Sequence, residues 1–199
     1  RLHRLDGRAG SVARSRRRVS RLADAQALLD GADLICSAAE VDAAVDRVAR
    51  EITAALGDSY PLLLSVMGGA VVFTGNLLPK LAFPIDFDYL HVTRYGDDTA
   101  GGTLRWISEP RTPVVGRTVL VIDDILDEGI TLAAIREHLL AKGAARCLTA
   151  VFSDKRIGRP KPIRADFTGL ELPDRYVFGY GMDVRGAWRN LPAIYALKD

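Results

Sequence analysis

Four apolar residues, Val119-Leu120-Val121-Ile122, run straight into two carboxylates, Asp123 and Asp124. Ile125, Leu126, Asp127, Glu128 and Gly129 then lead into a stretch from Ile130 to Ala141 rich in apolar residues. Few folds accept that order. The first four residues read as a strand buried on both faces of a sheet. The last twelve read as a helix. Strand, acidic pair, glycine turn and helix together build an anion site in an α/β protein. The first backbone N–H groups of the helix lack partners and carry the positive end of its dipole. Gly129 lets the backbone come close to an anion, and Thr131 adds a hydroxyl.

The acids define the rest of the ligand. Asp123 and Asp124 stand at a strand end, where open α/β sheets bind their ligands. Two adjacent carboxylates repel a phosphate, so they suit hydroxyls or a magnesium ion. A sugar phosphate meets both demands, with its diol on the acidic pair and its phosphate on the turn. Asp127 then lies beside the reacting end of the sugar, placed to move a proton. A Rossmann-like strand end with solvated acids is the plainer alternative.

This stretch resembles the phosphoribosyl-pyrophosphate (PRPP) motif of type I phosphoribosyltransferases: an apolar strand, two acids, two apolar residues, Asp, a small hydroxyl residue, Gly, any residue, Thr. Glu128 departs from it, standing where many members carry Thr or Ser. The resemblance assigns Asp123, Asp124, Asp127, Glu128, Gly129, Ile130 and Thr131 to the ribose phosphate.

A second strand, Pro61 to Val66, is followed by Met67-Gly68-Gly69-Ala70 and a helix from Val71 to Leu78. Tight packing alone explains a Gly-Gly pair after a strand about as well as an anion cradle does. In hypoxanthine-guanine phosphoribosyltransferases, which the chain resembles most, the matching loop binds pyrophosphate. That resemblance assigns Met67, Gly68 and Gly69 to pyrophosphate and places a cis peptide bond between Val66 and Met67. Many members carry Lys at position 67.

Further motifs extend the resemblance from about residue 25 to the end. Phe83 to Thr93 reads as a strand and Thr103 to Ile107 as its return. The glycine-rich connection between them cannot build a core. A plain hairpin loop accounts for it; the resemblance makes it a mobile lid, with Arg94 and Tyr95 closing over the sugar and excluding water. Ala145 to Phe152 reads as another buried strand, ending in Ser153-Asp154-Lys155-Arg156, and residues 156–164 as a basic surface loop. By resemblance Lys155 donates to the 6-oxo group of a purine, Tyr176 stacks on the base and Val177 meets its edge through the backbone. Asp183 holds magnesium through water, joined by Asp123 and Asp124, and also touches the exocyclic group of the base, while Arg189 takes pyrophosphate oxygens with its fork of donors. Ile194 to Leu197 reads as a short edge strand.

Residues 22–57 are expected to be helical, with Ser37 and Glu40 as a capping box and Val41, Ala44, Val45, Val48, Ala49, Ile52 and Leu56 on one face. The length, 199 residues, suits one domain with a full core. Residues 1–21 hold eight arginines and one acid, a net +7; the whole chain is +2, which leaves −5 on residues 22–199. An acidic body argues against nucleic acid as the main ligand. The basic stretch is expected to be a disordered leader without functional weight; a mitochondrial presequence, a nucleic-acid arm or translated upstream sequence are the other readings. Since Arg1 is not Met, an incomplete primary translation product is expected. Two cysteines, Cys36 and Cys147, make no disulfide framework, and a cytoplasmic location is expected.

The expected architecture is therefore an α/β, type I phosphoribosyltransferase fold over residues 22–199: a mostly parallel central sheet flanked by helices, with a small hood from the N-terminal helices and C-terminal segment. The resemblance implies purine salvage: PRPP plus hypoxanthine or guanine giving IMP or GMP and pyrophosphate, with Mg2+, in a homodimer or homotetramer. Asp127 and Lys155 are the catalytic candidates. A regulatory RNA-binding protein on the same fold is the chief rival. A phosphoacceptor receiver domain is a poor one, because Asp154 and Lys155 are adjacent. The same enzyme class with xanthine or a pyrimidine is the third.

Overall fold

The computed structural model describes residues 21–94 and 104–198. The basic leader to residue 20 and Tyr95 of the expected lid lie outside the described residues, as does the side chain of Arg94. The elements run α1 (Leu22–Asp30), β1 (Asp33–Cys36), α2 (Ala38–Leu56), β2 (Leu62–Met67), α3 (Val71–Leu77), β3 (Asp86–Arg94), β4 (Leu104–Ser108), β5 (Thr118–Leu126), α4 (Ile130–Ala141), β6 (Arg146–Arg156), β7 (Phe167–Pro173), β8 (Val177–Phe178) and β9 (Ile194–Ala196).

Six strands form the main sheet in the order β4-β3-β2-β5-β6-β7. All neighbours pair in parallel except β3 with β4, which are antiparallel. The two central strands are buried on both sides, and alternation sorts their side chains between two cores. Leu63, Leu120 and Ile122 join the core under α2 and α3. Leu62, Leu64, Val119 and Val121 join the core with Leu132, Ile135 and Leu139 of α4. Period-two alternation is what a strand imposes, and here both faces are apolar because helices cover both.

Helix α2 begins as its sequence predicts. Ser37 Oγ accepts from the Glu40 N–H at 3.3 Å, and Glu40 accepts from the Ser37 N–H at 2.8 Å. Its seven predicted apolar positions are all buried. Fully burying each Val, Ile or Leu is worth about 1.5–3 kcal/mol, so this stripe outweighs the helix's modest propensity.

The structure corrects several expectations. Residues 22–57 are not one helical stretch, because β1 interrupts them. Asp33, Leu34 and Cys36 pair with β9, with a register shift at Ile35, instead of continuing a helix. For the same reason Ile194–Ala196 is no edge strand: β9 is the middle of a second, three-stranded sheet, β1-β9-β8. The cis peptide bond lies between Met67 and Gly68, one residue after its expected place. β3 starts at Asp86, beyond Pro84 instead of at it. β6 continues through Arg156, so Lys155 lies within the strand, paired with Leu172 of β7, instead of beyond its end. β7, which pairs along the outer edge of β6, was not anticipated.

Candidate functional site

The strand order reverses between β2 and β5. From β2 the chain moves outward to β3; from β5 it moves the other way, to β6 and β7. Ligands of open α/β sheets settle in the crevice at such a switch point, outside the carboxyl ends of the strands. The two glycine turns, Met67-Gly68-Gly69 after β2 and Asp127-Glu128-Gly129 after β5, flank that crevice.

Gly129 caps α4 with φ +81°, a left-handed conformation that a side chain disfavours. The helix starts immediately behind it and presents the N–H groups of its first turn to a pocket lined by Asp123, Asp127, Glu128, Gly129, Ile130 and Thr131. Of the residues assigned to the ribose phosphate, all but Asp124 line this pocket, and Asp124 lines the neighbouring one. Glu128 turns toward Arg159 of the 156–164 loop, at 2.5 Å. That ion pair neutralises a carboxylate which would oppose a phosphate.

A neighbouring cavity of about 230 Å³ is lined by Asp124, Ile125, Asp127, Lys155, Tyr176, Val177, Met182, Asp183 and Arg189. It gathers side chains from β5, β6 and the 176–189 segment. Asp127 and Ile125 line both spaces. Lys155 Nζ sits 3.4 Å from Asp127 Oδ2 and 4.0 Å from Asp174 Oδ1. Arg189 pairs with Asp183 at 2.6 Å, and the other Asp183 oxygen accepts from the Gly186 N–H at 2.7 Å. Tyr176 is half exposed at the rim.

The segment carrying Val177 to Asp183 is held by an aromatic stack. Tyr180 lies 4.3 Å from Phe152 of β6, which lies 5.3 Å from Phe73 of α3. Buried rings at such offsets add about 0.5–1.5 kcal/mol each beyond their area. Ser153 Oγ donates to the Asp124 carbonyl at 3.1 Å, tying the acidic pair to β6.

The acidic pair is electrostatically loaded. Burial pushes Asp123 well above the usual carboxylate range, and the neighbouring Asp124 adds to the shift. Burial also raises Asp124, while Arg189 opposes the rise. Each carboxylate accepts a backbone N–H of the next residue, Asp124 to Asp123 at 2.9 Å and Ile125 to Asp124 at 2.8 Å.

Met67, Gly68 and Gly69 line neither space, but Gly69 packs against the acidic pair. A Cβ on Gly69 would stand 1.8 Å from Asp124 Oδ2, whereas one on Gly68 would meet nothing within 4 Å. The sequence reasoning missed Ile125, Met182 and Asp174 as neighbours of the site, and Lys161 beneath it. The lysine had no signal, being one cation in a basic loop. Among the described residues no group of three or more His, Cys, Asp and Glu is arranged to hold a metal ion unaided. Magnesium that arrives on a substrate phosphate needs only one or two carboxylates, keeping water elsewhere. A partly buried acidic pair, with Asp183 across the cavity, suits that mode.

A switch-point crevice, a pocket at the N-terminus of α4, an acidic pair and a cavity walled by Lys155 and Tyr176 are the features of an α/β protein built to take an anionic ligand. The sequence profile of the phosphoribosyl transferase domain matches residues 37–185. A hypoxanthine-guanine phosphoribosyltransferase of Bacillus subtilis is 35% identical over 83% of this chain and 92% of its own length. A hypoxanthine-guanine-xanthine phosphoribosyltransferase of Tritrichomonas foetus is 32% identical over 80% of this chain and 88% of its own. A solved hypoxanthine phosphoribosyltransferase of Staphylococcus aureus superposes with a TM-score of 0.80 at 24% identity, covering 86% of this chain and 95% of that one. The chain belongs to the phosphoribosyltransferase family, in its hypoxanthine-guanine branch.

Proposed function

We propose that this protein transfers the 5-phosphoribosyl group of PRPP to hypoxanthine or guanine, giving IMP or GMP and pyrophosphate. The observation that carries the reading is the shared wall. Asp127 lines both the helix-end pocket and the cavity of Lys155, Tyr176 and Val177, so a sugar phosphate in the first meets a planar base in the second.

The 5-phosphate accepts from the N–H groups of Gly129 to Thr131. The ribose diol lies on Asp123 and Asp124. Tyr176 covers one face of the base, and Val177 meets its edge through the backbone. The bond from the ribose anomeric carbon to the pyrophosphate oxygen breaks with its electron pair on the leaving group, and a purine ring nitrogen bonds to that carbon. Asp127 takes the proton that nitrogen releases. Lys155 stabilises charge developing on the 6-oxo group, which adenine lacks, so its bond selects oxopurines. Arg189 receives pyrophosphate oxygens, together with the Met67–Gly69 turn. Mg2+ bound to PRPP would neutralise the departing pyrophosphate and orient the ribose hydroxyls, held near Asp123, Asp124 and Asp183. The transfer demands alignment and exclusion of water; the Arg94-Tyr95 segment is the lid in this reading.

Residues 22–199 act as one domain, with β1, β8 and β9 as a hood that brings Tyr176 and Val177 over the main sheet. Cys36 and Cys147 are both buried and free, in keeping with a reducing cytoplasm, and no helix among the described residues is long and apolar enough to cross a membrane. A homodimer or homotetramer is the assembly we assign.

The test is pyrophosphate release from PRPP and magnesium with hypoxanthine, guanine, xanthine, adenine and uracil in turn. Release with hypoxanthine or guanine is expected. Release with none of the five overturns the reading. Release with xanthine as well would place the discrimination among oxopurines around Val177 and Asp183 and leave the selection of the 6-oxo group with Lys155.

A further inference from the structure

The 156–164 loop reads from sequence as solvated basic surface, yet its Lys161 is only 11% exposed along the side chain. Its ammonium makes three bonds: to the Leu126 carbonyl at 2.6 Å, the Lys155 carbonyl at 2.7 Å and Asp154 Oδ1 at 2.5 Å. An ammonium has three donors, and all three are committed. The acceptors are not scattered. Leu126, the last residue of β5, pairs with Asp154, near the end of β6. The next residue after β5 is Asp127, and the next on β6 is Lys155. One buried cation therefore holds the main chain of both residues that face each other at 3.4 Å in the cavity. The same loop reaches under the phosphate turn, where Lys161 Cβ and Ile163 Cγ2 lie 3.4 and 3.3 Å from the point a Cβ on Gly129 would occupy.

We propose that Lys161 is a positioning residue for the transfer: it sets the relation between Asp127 and Lys155 by clamping the ends of β5 and β6 from below. This rests on the reading of Asp127 and Lys155 as the groups that act on the base. Lys161 itself touches neither substrate. Loss of its donors leaves two carbonyls and the Asp154 carboxylate competing for solvent at a strand end, so the two strand tips can drift apart. A displacement near 1 Å costs reactions of this kind about a hundredfold.

The experiment compares Lys161→Met with wild type and with Arg156→Ala, a change at an exposed side chain on the last residue of β6, just before the same loop. Steady-state transfer to hypoxanthine is measured well below the unfolding temperature, with amide hydrogen exchange of the unliganded proteins. In Lys161→Met, kcat is expected to fall about tenfold or more, as for other residues that orient reacting groups. KM for PRPP should move less than about threefold. Peptides covering 124–130 should exchange faster while those from α2 do not change; Arg156→Ala should resemble wild type in both. If Lys161→Met does not fold, Lys161→Arg serves. It keeps a charge opposite Asp154, but a planar fork does not replace a point donor between two carbonyls, and the same fall in kcat is expected. A folded variant with kcat within about twofold of wild type, or with unchanged exchange at 124–130, overturns the proposal. Wild-type protein that releases no pyrophosphate with any base would instead sink the proposed function, and the exchange data would still decide on the clamp.

Discussion

Lys155 Nζ faces Asp127 Oδ2 at 3.4 Å across the cavity wall, a cation and a carboxylate supplied by the ends of adjacent parallel strands. Lys155 is mostly buried along its side chain, and Asp127 is half exposed. In the proposed transfer a purine presents one edge to both groups, its oxygen side to the lysine and its acidic ring nitrogen to the carboxylate. Asp127→Asn keeps the shape and the lysine's hydrogen-bond acceptor but cannot take a proton. It is expected to bind IMP within a few fold of wild type while kcat falls about 10²–10⁴-fold, the usual worth of a positioned general base. Binding by calorimetry and turnover by pyrophosphate release separate the two; near-normal turnover removes Asp127 from the mechanism.

The two glycines after β2 should respond differently to the same substitution. Gly69→Ala drives a methyl group into Asp124, 1.8 Å from Oδ2, and the Gly181 backbone packs so closely on the Gly69 carbonyl, where a Cβ would come within 2.1 Å of it, that the turn has little room to retreat. The acidic pair must shift, and KM for PRPP is expected to rise about tenfold or more, since a displaced binding group loses contacts worth at least 1.4 kcal/mol. Gly68→Ala meets no protein atom within 4 Å and leaves the acidic pair in place, so KM for PRPP should rise less than in Gly69→Ala. Equal KM values for the two variants would show that Gly69 does not set the position of Asp124.

Much of this was legible in the sequence because local chemistry and tertiary demand agree there. Ile130–Ala141 forms as read, since Gly129 supplies the left-handed cap and the preceding strand fixes the direction. The capping box at Ser37 and the both-faces burial of Val119 to Ile122 follow for the same reason. What was hidden depends on distant partners. β1 is four residues long and exists through its pairing with β9, some 160 positions away in the chain. Lys161 looked like any loop cation until β5 and β6 brought two carbonyls and a carboxylate around it. Glu128 looked misplaced in a phosphate turn until Arg159 turned up opposite it.

That ion pair makes a prediction of its own. Arg159→Ala removes a cation paired with Glu128 at 2.5 Å and weakens the screening of that carboxylate beside the phosphate. KM for PRPP should rise several-fold, by the roughly 1 kcal/mol that like charges impose near a surface, and the effect should shrink with added salt. Arg159→Ala combined with Glu128→Ala should return KM to near the wild-type value. A double variant no better than Arg159→Ala would mean that Arg159 acts on the phosphate directly.

The buried acidic pair should trade stability for function, with a definite dependence on pH. Burial raises Asp123 well above its ordinary range, the charge on Asp124 adding to it. The folded protein therefore holds the proton more tightly than the unfolded chain, and stability falls as pH rises through the folded pKa of the pair. Asp123→Asn keeps the oxygen that accepts from the Asp124 N–H and never ionises. Its melting temperature is expected to exceed that of wild type at pH 7–8, by about 2–4 °C for each kcal/mol relieved in a chain of this size. The gap should close toward pH 4, where the unfolded carboxylates also take up protons. The same variant should lose PRPP affinity, because a neutral amide cannot both accept from the ribose diol and balance magnesium. Thermal scans across pH, paired with PRPP titrations, measure the two halves independently. A variant that melts below wild type at pH 8 would show that Asp123 is held charged by partners stronger than its burial.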